Sequence, residues 1–261
     1  MNFNKKNFYK SLINIGIKKG QNLFIHSDIG LLKEYKNKKE IVLSCKIIVK
    51  QLLKVVGKNG SWAFPTFSYS FTKSERYFPK ISKSICGHLS EYVKNMKSSS
   101  SYNDPNVSVV VLGKKKDFLT KNFTNNAYGA NSFFDRFYKL NGHICNINLD
   151  SGSTFLHLFE KKLNVKYRID KTFYGFVRNN KKKISSKIYV IKKNKTFMVD
   201  FEKFHNLAKK YYKVSYIGRG FVGKISLKKT FEIVKFGLKK NKNFLIKKIW
   251  NLWILNIQNY L

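Results

Sequence analysis

The sequence predicts an α/β fold with a mixed, largely parallel central sheet and helices on both faces. A short apolar segment at 23–27, an amphipathic segment at 39–56 and a second buried segment at 62–64 follow one another in βαβ order. Further strand-like apolar segments lie at 109–113 and within 141–150. Parallel strands bring the loops after them to one sheet edge, where α/β proteins usually bind ligands.

The length allows one large domain or two closely packed α/β subdomains, since the chain has 261 residues. We expect one domain over 1–261, with the site-bearing core in 1–175 and a C-terminal α/β portion in 176–261. No apolar run approaches eighteen residues, and the first residues lead into no signal-like apolar segment. These features predict a cytoplasmic protein.

The three cysteines, Cys45, Cys86 and Cys145, lie far apart and show no metal-binding spacing. Such a pattern indicates free thiols in a reducing compartment. It predicts no metal site.

The net charge of +38 would attract phosphate groups at long range. However, only five of the 52 basic residues are arginines, and the lysines are spread over nearly every segment. Arginine is the side chain that nucleic-acid-binding proteins favour for contacts with bases and phosphates. The pattern therefore favours a solvated lysine surface without a specific nucleic-acid partner. A basic RNA-binding protein without enzymatic activity is the alternative of another class.

The N-terminal half contains two helices besides its strands. Residues 5–18 show apolar side chains at helical spacing before a turn at 20–22, and 39–56 carries a broad apolar stripe that ends at Gly57. Residues 87–96 read as a further, short helix. Together these elements cover the βαβ unit.

The C-terminal third predicts a hairpin and two helices. Strands at 188–191 and 197–199 would pair through a polar turn at 192–195, and helices would follow at 201–212 and 226–238. Gly218, Gly220 and Gly223 resemble a dinucleotide-binding GxGxxG, but no clear strand precedes them, so we interpret them as a turn.

The tail at 244–261 places apolar side chains on one helical stripe, with lysines before it. This helix would dock on the protein body or make a weak contact with an anionic membrane surface. The sequence leaves both alternatives open.

Thr154, His157 and Glu160 are the central candidates for a functional site. Three-residue spacing puts all three on one face of a helix that begins at the carboxyl end of a strand. A single histidine on a helix can equally be a hydrogen-bonded core residue. The context elsewhere in the chain decides between the two interpretations.

Polar side chains also follow the other predicted strands. His26, Ser27 and Asp28 come directly after the first, and Thr66 and Ser68 follow the second; such loops can offer amides and hydroxyls to a phosphate-bearing cofactor.

Asp104 precedes Pro105, which holds its backbone extended, and Ser108 stands at the next strand start. The carboxylate of Asp104 would be fixed for chemistry or would only cap an Asx turn.

Taken in the order in which they occur along the chain, these motifs resemble those of the aminoglycoside 3-N-acetyltransferase family. The resemblance is carried by 23–28, 64–70, 104–109 with Gly113, 128–132, 149–150 with Thr154, His157 and Glu160, and 167–168. It spans about residues 9–175.

The resemblance implies transfer from acetyl-CoA to the amino group of an aminoglycoside or amino sugar, on a mixed α/β fold unlike that of GNAT acetyltransferases. It assigns Ser27, Asp28, the 66–70 loop and Ser108 to the cofactor cleft. It assigns the helix with His157 and Glu160 to the active-site region.

Three features depart from the family pattern, and one of them is an arginine common just upstream of Asp104 that is replaced within the serine run at 98–101. Asp104-Pro105 replaces a common His-Pro, and Asn148 replaces a glycine that usually precedes the signature helix. The Asp-Pro form is similar to members in surface-glycan clusters. An acetyltransferase of surface-glycan biosynthesis without antibiotic activity is therefore an alternative.

The chemistry requires a general base, because an acceptor ammonium must lose a proton before its nitrogen attacks a thioester. His157 is one candidate, with Asp104 or Glu160 orienting its ring; Asp104 as the base with His157 in support is the other. Thr66, Ser68 and the amides after His26 are candidates to meet the thioester oxygen. Without a Cys/His arrangement, direct transfer in a ternary complex is expected.

Overall fold

The computed structural model describes residues 3–192 and 197–248. The helices in these residues are α1 (Lys5–Asn14), α2 (Lys38–Val56), α3 (Gly87–Lys94), α4 (Lys116–Thr120), α5 (Phe133–Lys139), α6 (Phe155–Lys162), α7 (Glu202–Ala208) and α8 (Leu227–Lys240). The strands are β1 (Asn22–Ser27), β2 (Ser61–Pro65), β3 (Ser100–Tyr102), β4 (Val109–Gly113), β5 (His143–Ile147), β6 (Arg168–Gly175), β7 (Ile184–Ile191), β8 (Phe197–Val199), β9 (Lys213–Ile217), β10 (Gly220–Ser226) and β11 (Ile246–Lys248).

Seven strands form the central sheet in the order β3-β4-β2-β1-β5-β10-β9. β1 pairs in parallel with β2 and with β5, which confirms the βαβ unit and the mixed α/β sheet. The other four pairings are antiparallel, so the parallel part is smaller than expected. Short connections join β3 to β4 and β9 to β10, and strands joined this way pair antiparallel.

Helices cover both faces of the sheet, as predicted. Alternate strand residues point to opposite faces, so Phe24 packs in one apolar layer and Leu23 and Ile25 pack in the other. Helices α1, α2 and α3 cover the Leu23 side. Helices α5, α6 and α8 cover the Phe24 side. The prediction of a single domain over 1–261 stays a prediction.

The predicted hairpin between 188–191 and 197–199 is wrong. β7 pairs instead with β6 along eight residues, from Arg168↔Ile191 to Gly175↔Ile184. β8 pairs with β11. The β6–β7 ribbon joins more residues than the short hairpin could, and its partner strand lies earlier in the chain. The predicted turn falls partly on 193–196, outside the described residues.

The tail is not helical where the structure describes it, because Ile246–Lys248 forms β11. The rest of the predicted stripe, 249–261, lies outside the described residues. Gly218 does lie in a turn, between β9 and β10 with φ +61°, whereas Gly220 and Gly223 belong to β10. Within 3–192 and 197–248, no helix has the length and apolarity needed to cross a membrane.

Candidate active site

Helix α6 carries the central candidates at the carboxyl end of β5. Its apolar residues, Phe155, Leu156, Leu158 and Phe159, are buried in the layer on the Phe24 side. The buried Asn146 at the end of β5 donates through Nδ2 to the carbonyls of Asp150 and Gly152, which shapes the loop before the helix.

His157 and Glu160 contact each other as their spacing predicts. His157 Nδ1 lies 2.7 Å from Glu160 Oε2. The histidine side chain is 20% exposed, whereas the glutamate side chain is fully buried. An ionised carboxylate only accepts hydrogen bonds, so Nδ1 carries the proton and Nε2 is the nitrogen able to accept one. Thr154 lies at the N-cap of α6 and makes no side-chain capping bond.

Aromatic rings hold the imidazole from two sides. The Tyr128 ring meets it edge-on at 5.8 Å between centroids, and the Phe201 ring lies at 5.9 Å. These contacts restrict rotation of the imidazole ring.

Glu160 has two further partners. The Tyr167 hydroxyl donates to Oε1 at 2.7 Å, and Arg168 Nε lies 2.8 Å from Oε2. Burial alone would raise the pKa of Glu160, but His157, Arg168 and Tyr167 together lower it. The carboxylate is therefore ionised at neutral pH.

The pKa of His157 lies below its usual 6.5. Burial and the nearby positive charge of Arg168 lower it, and the contact with Glu160 opposes them in part. The imidazole is neutral at neutral pH, which is the form that a general base needs.

The end of β1 reaches the start of α6. His26 and Ser27, which we expected directly after the strand, are its last two residues and pair with β5. His26 Nε2 lies 3.1 Å from Ser153 Oγ, and burial lowers the pKa of His26 to about 4. Asp28 Oδ1 accepts from the Gly30 amide at 3.0 Å, which caps the short 3-10 helix Ile29–Leu31. Ser27 Oγ is buried without a hydrogen-bond partner in the described part of the chain.

Three buried hydroxyls connect the loop after β2 to the segment before β4 by hydrogen bonds, those of Thr66, Ser68 and Ser108. Thr66 Oγ1 donates to Ser108 Oγ at 3.1 Å, and Ser108 Oγ donates to the Thr66 carbonyl at 2.6 Å. Ser68 Oγ donates to the Pro105 carbonyl at 3.1 Å. The hydroxyls hold the β2 and β4 loops together, and their role towards a thioester oxygen stays a prediction.

Asp104 makes the predicted Asx turn and is fully buried. Its Oδ1 accepts from the amides of Asn106 and Val107, at 2.8 and 3.1 Å, and from Ser186 Oγ at 3.1 Å. Burial raises its pKa to about 6, against the effect of these donors. The carboxylate in contact with the His157 ring is Glu160, and the choice between His157 and Asp104 as the base stays a prediction.

Asn148, the departure from the family glycine, has φ +58°. Asparagine tolerates this left-handed conformation better than most residues. Its side chain donates to the Asp28 carbonyl and accepts from the Phe221 amide, at 2.6 and 2.7 Å. Asn148 therefore holds a left-handed backbone conformation and links the loop after β1 to β10.

Sequence reasoning assigned no role to Arg168, Tyr128 or Ser186. The only signal was the place of Tyr128 and Arg168 in the motif series. Ser186 carried no sequence signal, because its contact depends on the pairing of β7 with β6.

Within the described ranges, no group of three or more His, Cys, Asp or Glu side chains could hold a metal ion. The three cysteines are free thiols.

The fold is similar to that of solved acetyltransferases. AAC-IIIb bound to CoASH superposes with a TM-score of 0.76 at 15% identity, covering 92% of this chain and 97% of that one. A histidine-to-alanine variant of aminoglycoside acetyltransferase AAC(3)-IVa in complex with a gentamicin gives 0.76 at 16%, covering 94% and 92%. YokD from Bacillus subtilis gives 0.74 at 17%, covering 92% and 100%. At these identities the likeness shows the fold alone.

The class follows from the sequence match: the chain is an acyltransferase. Its sequence matches the family described as aminoglycoside 3-N-acetyltransferase over residues 24–238, and the chain belongs to that family. No curated protein sequence matches it.

Proposed function

We propose that this enzyme transfers the acetyl group of acetyl-CoA directly to the amino group of an aminoglycoside or another amino sugar. The contact between His157 and Glu160 at the carboxyl edge of the sheet carries the proposal. It supplies a neutral base backed by an ionised carboxylate, inside a fold shared with known acetyltransferases.

In the proposed reaction the acceptor nitrogen attacks the thioester carbon. A C–N bond forms, the C–S bond breaks, and His157 Nε2 takes the proton that the nitrogen loses. Glu160 stabilises the imidazolium that results, and the imidazolium returns the proton to the departing thiolate of CoA. Arg168 and Tyr167 hold the carboxylate in place.

The cysteines support direct transfer in a ternary complex. Burial raises the pKa of Cys45 and Cys86 to about 11 and that of Cys145 to about 12. Thiols with such values are poor nucleophiles at neutral pH, because the thiolate is the reactive form. The described polar contacts of His157 are with Glu160 and not with a thiol, so an acetyl-cysteine intermediate lacks its base.

The loops after β1 and β2 are the proposed cofactor side of the site. The contact between His26 and Ser153 supports this, because it places the end of β1, where the first loop begins, beside the start of α6. AAC-IIIb, which shares the fold, binds CoASH.

Two acceptor classes share this chemistry. The AAC(3)-IVa variant is in complex with a gentamicin, which supports an aminoglycoside. The Asp104-Pro105 form supports an amino sugar of surface-glycan synthesis, because it is similar to family members in surface-glycan clusters.

A thiol-release assay tests the function. Acetyl-CoA is offered with aminoglycosides, amino sugars and sugar nucleotides that carry a free amine, and the free CoA thiol is measured. We expect release that depends on one acceptor class and on the protein. No release with any amine, together with tight RNA binding that falls steeply with salt, would favour the basic RNA-binding alternative.

A further inference from the structure

Arg168 is a buried cation at the first position of β6. It is 6% exposed, and its Nη1 donates to the Tyr189 carbonyl at 3.0 Å. That carbonyl belongs to β7, the partner strand of the ribbon. The ribbon therefore fixes the guanidinium with its Nε 2.8 Å from Glu160 Oε2.

Glu160 needs a counter-charge because it is fully buried. A buried carboxylate without one takes up a proton instead of remaining ionised. His157 is neutral at neutral pH, and Tyr167 is an uncharged donor. Lys161, the next residue on the helix, is engaged by Asp170 at 2.6 Å. Among the described residues, Arg168 is thus the permanent positive charge in contact with this carboxylate.

The charge state of Glu160 decides which nitrogen of His157 carries the proton. An ionised Glu160 accepts from Nδ1–H and leaves the Nε2 lone pair available. A protonated Glu160 would instead donate to Nδ1, and the neutral ring would then hold its proton on Nε2. That tautomer cannot accept a proton from an acceptor amine at Nε2.

We propose that Arg168 is a positioning residue: it keeps Glu160 ionised and thereby holds the proton of His157 on Nδ1, so that Nε2 is free. The catalytic meaning of this arrangement rests on the proposed function. The protonation state of the ring does not, and it can be measured without substrate.

The same charge acts on the protonation of His157. Glu160 from α6, Arg168 from β6 and Tyr128 from the loop before α5 are the titratable or charged groups that face the ring among the described residues. Both Arg168 Nε and His157 Nδ1 contact Oε2, so the two cations would be close and would repel each other. For as long as Glu160 stays ionised, loss of the Arg168 charge removes this repulsion and should raise the pKa of His157.

The test is a titration of ¹⁵N-histidine-labelled protein by NMR, which reports both the pKa and the tautomer of each ring. The variants are Arg168→Gln, which removes the charge, and Arg168→Lys, which keeps it. The matched control is Arg136→Gln: Arg136 is also buried, at 7% exposure, but it donates to the carbonyls of Lys121 and Asn122. A His157→Asn variant assigns the signal among the five histidines.

We expect the wild type to show the Nδ1–H tautomer with a pKa below 6.5. Arg168→Gln should raise the pH at which the coupled His157–Glu160 pair takes up its next proton, and it should weaken the preference for the Nδ1–H tautomer. Arg168→Lys should stay within about half a unit of the wild type, and Arg136→Gln should leave His157 unchanged.

The proposal is overturned if the wild type shows the Nε2–H tautomer or a pKa above 6.5. It is also overturned if Arg168→Gln leaves both quantities unchanged, or if the lysine variant shifts as much as the glutamine variant. Should Arg168→Gln fail to fold, the wild type still decides, because an Nε2–H tautomer would contradict an ionised Glu160 beside Arg168. A protein that passes this test but releases no thiol contradicts the proposed function only.

Discussion

Replacing Glu160 with glutamine perturbs the candidate site with the smallest change in shape. The substitution removes the negative charge and puts an amide NH2 where one oxygen now accepts. The carboxylate contacts three polar groups, from His157, Tyr167 and Arg168, at 2.7, 2.7 and 2.8 Å. An amide can satisfy them only in part, because one end of it now donates.

Two magnitudes follow from this geometry. Arg168 is left as a buried cation without a counter-charge, which costs about 3–5 kcal/mol of unfolding free energy. His157 loses the acceptor that fixes its tautomer. The equivalent carboxylate-to-amide change in a protease triad lowers kcat by about 10⁴-fold, so we expect Glu160→Gln to lower kcat/KM by about 10³- to 10⁴-fold.

The assay is acetyl-CoA-dependent thiol release at saturating acceptor, with urea denaturation in parallel. Asp135→Asn is the matched control, because Asp135 is a buried carboxylate on α5 paired with Lys139 and Lys162 at 2.8 and 3.0 Å. The control should lose stability and keep kcat/KM. A folded Glu160→Gln enzyme within tenfold of wild-type kcat/KM would refute the reasoning.

Three further predictions concern the loops and the reaction path. The pKa of Asp104 is raised to about 6, so its contribution to stability is present at low pH and is lost as the pH rises through that value. Asp104→Asn should therefore gain about 1–2 kcal/mol of unfolding free energy relative to wild type between pH 5 and pH 8, measured by urea denaturation; an unchanged difference contradicts the buried charge. Acetyl-CoA alone should raise Tm without leaving an acetylated protein, and a stable mass increase of one acetyl group would contradict direct transfer. Gly220→Ala should lower Tm, because a Cβ there would overlap the Asn148 amide, and an unchanged Tm would show that this contact can shift.

The local part of the site could be predicted from the sequence. Residues 154–160 indicate a helix after a strand, and the three-residue spacing of His157 and Glu160 fixes their contact without knowledge of any other element. The βαβ unit was predictable for the same reason, since its periodicities and turns are local. The outcome at both places confirms the prediction.

The contacts that strand β6 and strand β7 make with the site could not be predicted from local sequence. Arg168 reaches it because β6 pairs with β7, and the sequence alone suggested a shorter hairpin with the nearest strand-like segment. Ser186 reaches Asp104 across 82 positions for the same reason. A buried glutamate does require a cation, but the sequence does not show that Glu160 is buried, so this requirement could not point to Arg168 in advance.

The most direct measurement of the central claim compares His157→Ala with the wild type in the thiol-release assay, with acetyl-CoA binding followed by the rise in Tm. The account predicts that the variant folds, still gains Tm with acetyl-CoA, and loses at least about 10³-fold in kcat/KM. A folded variant that turns over acceptor at the wild-type rate would contradict it.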